Sequence, residues 1–145
     1  MNLSENFTLD ELCVTDTGAA NLPDYNQKDK LLYVAQFLLQ PMRTRWGKIH
    51  VNSAFRSEFV NEKIGGALTS QHKEVEAADC VPQDAVIDDV FAWAKKNLVY
   101  WQIILEHHVD TGARWIHISL PRMNGANMQA MTCEVRGKEK SYTPA

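Results

Sequence analysis

Residues 101–119 constrain the fold of this chain more than any other segment, because two strand patterns flank a turn there. Residues 101–106 and 115–119 are typical of strands, and Asp110-Thr111-Gly112 is a turn signal between them. Side chains alternate between the two faces of a strand, so His117 shares a face with Trp115 and Ser119. The segment predicts an antiparallel hairpin whose chemically active residues lie together, opposite isoleucines that can pack in a core.

Helix and strand signals fill the rest of the chain. A short helix is predicted at residues 7–12, where Thr8 and Glu11 can form a capping box. A long helix is predicted at about 29–46, with Pro41 inside it, where proline can kink a helix. Its apolar stripe consists of Leu31, Ala35, Leu38, Met42 and Trp46. The remaining predicted elements are a strand at 49–55, a helix at 57–64 ended by Gly65-Gly66, a strand at 77–81 and a helix at about 84–98.

This mixture of elements predicts an α+β fold with a small antiparallel sheet flanked by helices. No internal repeat or linker divides the sequence, so a single domain over residues 1–145 is expected. The residues from about 136 onward are polar, and a frayed C-terminal tail is expected there.

Charge and composition exclude several classes of function. The formal net charge is -3, whereas non-specific nucleic-acid binding usually requires a basic surface. No apolar run is long enough to span a membrane, and the first residues do not resemble a secretory signal peptide. The three cysteines, Cys13, Cys80 and Cys133, are widely spaced, which predicts reduced thiols made in the cytoplasm and no cysteine metal site.

His72, Asp79 and His117 are the candidate metal ligands. His72 can approach Asp79 if its loop folds back over the strand that carries Asp79, and His117 can complete the set from the later strand. Histidine and aspartate suit zinc at about 2.0–2.2 Å, and three protein ligands leave a fourth position for water. Spacing alone leaves another interpretation open, since a single histidine on a strand is more often part of a core.

Ser70-x-His72-x4-Ala77-x-Asp79, followed by Trp115-Ile116-His117, resembles the zinc D-Ala-D-Ala carboxypeptidase and L-Ala-D-Glu endopeptidase family, in particular its phage-type branch. The resemblance covers roughly residues 3–120. It implies a hedgehog/DD-peptidase-like zinc peptidase fold with one zinc ion held by His72, Asp79 and His117. It also implies a metallopeptidase that cuts a peptide bond of the peptidoglycan stem peptide. The segment around Arg56 is similar to the one that supplies the family's substrate-binding arginine.

Val75 departs from the family pattern, which usually has glycine at this position. If that glycine supplies a positive φ, a β-branched residue would be strained there. A non-catalytic module that binds the cell wall or a partner, with the fold and the metal retained, is therefore an alternative. A structural domain without metal is a third one.

Glu106 is the candidate general base. With the turn centred near Thr111, Glu106 pairs with Ile116, and a shift of one residue to Trp115 or His117 would bring it to the face of the ligand. Many family members instead have an acid three residues before the last histidine, where this chain has Arg114. Without the zinc hypothesis, Glu106 would be a solvated carboxylate at a strand end.

Other residues are expected to contact substrate. Arg56 can hold a carboxylate or polarise a carbonyl oxygen through its planar fork of donors. His107 and His108 point to opposite faces, so at most one could approach the metal, and exposed loop positions are expected for both. The other candidate substrate contacts are Ser70, Gln102, Trp115 and Ser119.

The same resemblance suggests where such a protein works. Without a signal peptide, a phage or prophage enzyme reaches the bacterial cell wall during lysis, as an endolysin does, or as a virion component. Its expected partners are the peptidoglycan peptide and phage tail or lysis proteins, with no nucleic acid and no membrane insertion.

Overall fold

A computed structural model describes residues 1–69, 71–123 and 127–145. The helices and helical segments are α1 (Leu9–Leu12), α2 (Tyr25–Tyr33), a π-helical segment (Val34–Leu39), α3 (Gln40–Trp46), α4 (Glu58–Lys63) and α5 (Ile87–Asn97). The strands are β1 (Ile49–Ser53), β2 (Ala77–Pro82), β3 (Gln102–His108), β4 (Ala113–Ser119), β5 (Gln129–Arg136) and β6 (Glu139–Pro144).

The long N-terminal helical region runs from α2 through the π-helical segment into α3. It begins at Tyr25, earlier than predicted, because Asp24 and Gln27 form a capping box. The predicted capping box of α1, between Thr8 and Glu11, is confirmed. The π-helical segment ends directly before α3, in which Pro41 occupies the first turn. Because the helical region is continuous through this position, proline removes one intrahelical hydrogen bond there, and the wider π-helical turn lies directly before it.

The sheet has six strands in the order β1-β2-β4-β3-β5-β6. The α+β class is therefore confirmed, but the expectation of a small, antiparallel sheet was wrong. β3 and β5 pair in parallel, while the other neighbouring pairs are antiparallel. Sequence analysis missed both β5 and β6. β6 has a weak strand signal because its side chains are largely polar, whereas the apolar-polar alternation from Met131 to Arg136 was a usable signal for β5.

The polar C-terminal end was expected to be a frayed tail, but it forms a strand. β6 pairs with β5 along its whole length, from Met131 opposite Pro144 to Arg136 opposite Glu139. Every side chain of β6 is exposed, because β6 is the edge of the sheet. Exposure on both faces accounts for the polar sequence, since alternation appears only where one face is buried.

The two faces of the sheet have different roles. Ile103, Leu105, Ile116 and Ile118 pack with the helices in the main core, and the stripe residues from Leu31 to Met42 are fully buried against them. The opposite face carries Asp79, Glu106 and His117 and is open to a cleft. Among the described residues, no helix has the length and apolarity needed to cross a lipid bilayer.

Candidate active site

Three side chains converge at one end of the cleft. Asp79 on β2 and His117 on β4 are paired positions in neighbouring strands, and His72 reaches them from the loop before β2. His72 Nε2 lies 3.2 Å from Asp79 Oδ2, and His117 Nδ1 lies 2.8 Å from Asp79 Oδ1. The structure thus brings the three predicted ligands together, with candidate ligand atoms of all three within 4.8 Å of one another.

The loop that carries His72 is fixed by backbone hydrogen bonds. The Arg56 N–H donates to the His72 carbonyl at 3.1 Å, and the Glu76 N–H donates to the Gln71 carbonyl at 2.8 Å. Between the ligands, Val75 has φ +61° and is buried in the core. A β-branched residue in the left-handed region is an outlier, so the predicted positive φ is real and the valine is strained. The ligands converge despite this strain.

Hydrogen bonds orient both imidazoles. His72 Nδ1 lies 2.9 Å from the Ala54 carbonyl, so it donates there and turns the lone pair of Nε2 towards Asp79. The side-chain amide of Gln71 donates through Nε2 to Gln102 Oε1. This hydrogen bond turns Oε1 of Gln71 towards His117 Nε2, at a distance of 2.6 Å. His117 Nε2 therefore carries the proton, and Nδ1 presents a lone pair to a carboxylate oxygen. His117 Nδ1 and Asp79 Oδ1 lie 2.8 Å apart, and two acceptor atoms this close to each other require a cation between them, either a proton or a metal ion.

The donor set fits zinc. Two imidazoles and one carboxylate are common zinc ligands, and ligands at about 2.1 Å from a tetrahedral zinc lie about 3.4 Å apart. The observed 3.2 Å between His72 and Asp79 is close to that value, and the 2.8 Å between His117 and Asp79 is a hydrogen-bond distance that a bound ion would widen. The electrostatics agree. Burial by itself raises the pKa of the Asp79 carboxyl, but the positive charge and the hydrogen bonds of the two histidines in their protonated form lower it by more, so the pKa is well below its usual range and Asp79 is ionised when a cation lies between these groups.

Glu106 lies in the same cleft as the three candidate ligands. It pairs with Trp115, one residue from the position that the turn arithmetic favoured, and so takes the face that carries His117. Its side chain is only 14% exposed. Arg114, at the position where many relatives have an acid, makes a bidentate ion pair with Asp88 of α5 at 2.7 and 3.0 Å.

Arg56 lines the cleft from the segment before α4. Its Nη1 lies 3.4 Å from Oδ1 of the buried Asn61, whose amide also donates to the Ala67 carbonyl at 2.9 Å. Arg56 Nε is buried and has no hydrogen-bond partner within the described part of the chain. Gly66 packs so closely on Asn61 Oδ1 that a Cβ would lie 2.1 Å from it. Asn61 is thus a positioning residue for Arg56 and for this wall of the cleft.

The structure places only some of the other predicted substrate contacts in the cleft. Gln102 and Trp115 line the cleft. Ser119 was expected to line it and does not belong to its lining among the described residues: it is fully buried, and its Oγ accepts the Gln102 N–H at 3.1 Å. The alternation of side chains along the strand predicted the correct face for Ser119. Ser119 is, however, the last residue of β4, where the backbone of Gln102 covers its side chain. Ser70 lies outside the described residues.

His107 and His108 were expected in an exposed loop, and both are half-buried residues at the end of β3. His108 lines the cleft, and its ring centroid is 4.4 Å from that of Trp115. His108 Nε2 is 3.9 Å from Glu106 Oε2. As expected from alternation, only one of the two histidines reaches the site.

Sequence analysis did not assign Gln71, Lys140 or Tyr142 to the site, and it also missed Thr69 and Ile104 in the lining of the cleft. Gln71 orients His117, and Lys140 and Tyr142 of the edge strand β6 line one wall. The proximity of Gln71 to His72 was a usable signal. The two β6 residues had none, because their segment was taken for a frayed tail. The complete cleft has a volume of about 450 Å³.

A family model described as Peptidase M15 matches residues 5–119. The matched region contains Arg56, Glu106 and the three candidate ligands, and the match confirms the resemblance drawn from the sequence motifs. A search of curated proteins found no significant match.

Proposed function

The chain belongs to the M15 family of zinc D-Ala-D-Ala carboxypeptidase-type peptidases, and we propose that it hydrolyses a peptide bond in the stem peptide of peptidoglycan. The observation that carries this proposal is the convergence of His72, Asp79 and His117 in a cleft that also holds Glu106. A structural metal site would be closed by four protein ligands, whereas three ligands leave a position for a reacting molecule.

Each residue of the cleft has a proposed role. His72, Asp79 and His117 would hold one zinc ion, which would lower the pKa of water to about 7 and polarise the scissile carbonyl. Glu106 would accept the proton of the attacking water and pass it to the leaving amine. Arg56, which lines the cleft, would bind a substrate carboxylate or the carbonyl oxygen through its planar fork of donors. Gln102 and Trp115 would contact the substrate backbone and side chains.

We place the reaction at the bacterial cell wall, with a phage or prophage lysis enzyme or virion component as the biological context. The resemblance of the motifs to the phage-type branch supports this proposal. Both carboxypeptidase and endopeptidase action are compatible with a cleft that extends from Arg56 to β6.

The test is digestion of purified cell walls, followed by mass spectrometry of the released muropeptides. We expect one zinc ion per chain, new amino or carboxyl termini at one bond of the stem peptide, and loss of both signals in Asp79→Ala. Inhibition by phenanthroline is expected. Release of new termini that is unaffected by the chelator would contradict the proposal.

The strained Val75 in the ligand loop favours one second candidate, a wall-binding module that retains metal without catalysis. Co-sedimentation with cell walls in the absence of any cleavage, at every pH tested, would select this candidate.

A further inference from the structure

The hairpin formed by β5 and β6 lies outside the family match and still builds one wall of the cleft. The matched region ends at residue 119, whereas Lys140 and Tyr142 belong to β6. The cleft therefore has a catalytic part shared with the family and a wall contributed by residues after it.

Strand register explains why these two side chains reach the cleft. Glu106 pairs with Cys133, which pairs with Tyr142. One step along the face, His108 pairs with Val135, which pairs with Lys140. Paired residues share a face, so Lys140 and Tyr142 lie on the side of the sheet that carries the candidate base. Burial first, and then the charges of Cys133 and Glu106, raise the pKa of Tyr142, which agrees with this placement.

A peptide that reached from the candidate ligands to this wall would have to span several residues in extended conformation. Three strand spacings of about 4.8 Å, or about 14 Å, separate β4, which carries His117, from β6. Pro144 stands in the row of His117, and Lys140 lies four residues from it along β6, which adds about 13 Å along the strand. The diagonal is about 19 Å, and an extended chain advances about 3.3 Å per residue, so about six residues cover that span. The apolar cluster of Ile104, Cys133 and Val135, with Met131 beside it, lies on the same face of the sheet between them, and Ile104 lines the cleft.

Lys140 gives this wall a positive charge. Across residues 1–69, 71–123 and 127–145, no carboxylate lies within 4.0 Å of its ammonium group. The charged lining of the cleft comprises Arg56, Lys140, Asp79 and Glu106, whose charges cancel. A bound divalent cation would therefore leave the cleft positive, in a chain whose formal net charge is -3.

We propose that Lys140 and Tyr142 form a distal subsite that binds a carboxylate-bearing residue of the substrate peptide, about six residues from the metal ligands. This inference rests on the proposed peptidase function and adds a specificity determinant to it. The Lys140 ammonium pairs with the carboxylate, and the Tyr142 ring packs on the neighbouring apolar atoms. A lysine on an edge strand can also serve only to prevent edge-to-edge association, so the test must separate these roles.

The experiment compares a stem peptide with free carboxylates against the same peptide with those groups amidated. We expect the wild type to prefer the acidic form in kcat/KM, and Lys140→Gln to reduce that preference about two- to fivefold, as for an exposed ion pair. Lys140→Arg should retain it. Lys138→Gln, an equally exposed lysine in the same hairpin, is the matched control and should leave both rates unchanged.

A binding measurement keeps this test separate from the proposed reaction. Dissociation constants for both peptides are measured in Glu106→Gln with and without Lys140→Gln, so the subsite is tested even if the wild type hydrolyses neither peptide. The same loss of preference is expected. An unchanged ratio between acidic and amidated peptides, or a Lys140→Gln effect that amounts only to association of the chains in ultracentrifugation, would overturn the inference.

Discussion

Glu106 on β3 stands directly opposite Trp115 on β4, two residues along the strand from His117. This register puts the carboxylate on the face of the candidate metal ligands. A shift of one residue would have turned it into the core with Ile116. The same row of the sheet continues through Cys133 to Tyr142, so one strand register connects the candidate base with the distal wall of the cleft.

Replacement of Glu106 by glutamine should separate chemistry from metal binding. The amide keeps the size of the side chain but cannot accept a proton, so we expect kcat/KM to fall about 10²–10⁴-fold. Zinc content by elemental analysis should be unchanged. Glu134→Gln makes the same substitution at an exposed position of the neighbouring β5 and should retain full activity. Equal activity of the two variants would exclude Glu106 as the base.

Metal removal should lower thermal stability. A ligand that binds only the folded state at 100 times its Kd stabilises it by about 2.7 kcal/mol, which corresponds to about 5–10 °C in the Tm of a chain of this size. We expect a chelator to lower the Tm of the wild type by this amount and to leave His117→Ala unaffected. His50→Ala, at an exposed position of β1, should keep the full metal-dependent shift. A wild-type Tm that does not depend on metal would contradict a zinc centre.

Val75→Gly should lower the free energy of unfolding less than the same substitution at other buried valines. Truncation loses about 1.5–3 kcal/mol of apolar burial, but it also relieves about 1–3 kcal/mol of strain at φ +61°. We expect a free energy of unfolding in urea within about 1 kcal/mol of the wild type. Val51→Gly is the comparison, since Val51 is also buried, in an extended strand, and its truncation should cost about 2–4 kcal/mol. Equal losses at both positions would mean that the valine backbone is not strained.

The Cys13 thiol should react slowly in the folded protein. Burial, followed by the charge of Asp10, raises its pKa to about 11, so at pH 8 only about one thiol in 10³ is ionised. Since the thiolate is the reactive form, we expect iodoacetamide to label Cys13 at least a hundredfold more slowly than free cysteine, with labelling mapped by mass spectrometry. Asp10→Asn removes one cause of the raised pKa and should accelerate labelling. Labelling of Cys13 in the native wild type as fast as that of free cysteine would contradict this prediction.

The sequence by itself determined the features that depend on local periodicity and residue chemistry. The buried stripe from Leu31 to Met42, the capping box at Thr8 and the shared face of Trp115 and His117 all follow from spacing along one element. The family motif raised the question of a positive φ at Val75, and the structure answered it. These features were predictable because each depends on neighbours within a few residues.

Only the tertiary structure decided the rest. The final register of Glu106, the burial of Ser119 beneath the Gln102 backbone and the contact from Gln71 to His117 arise between segments far apart in sequence. The parallel placement of β5 beside β3 makes β6 a wall of the cleft, although its exposed, polar residues carry no alternating signal. Such contacts are set by which surfaces can be buried together, and that free energy belongs to the assembled sheet and not to any one segment.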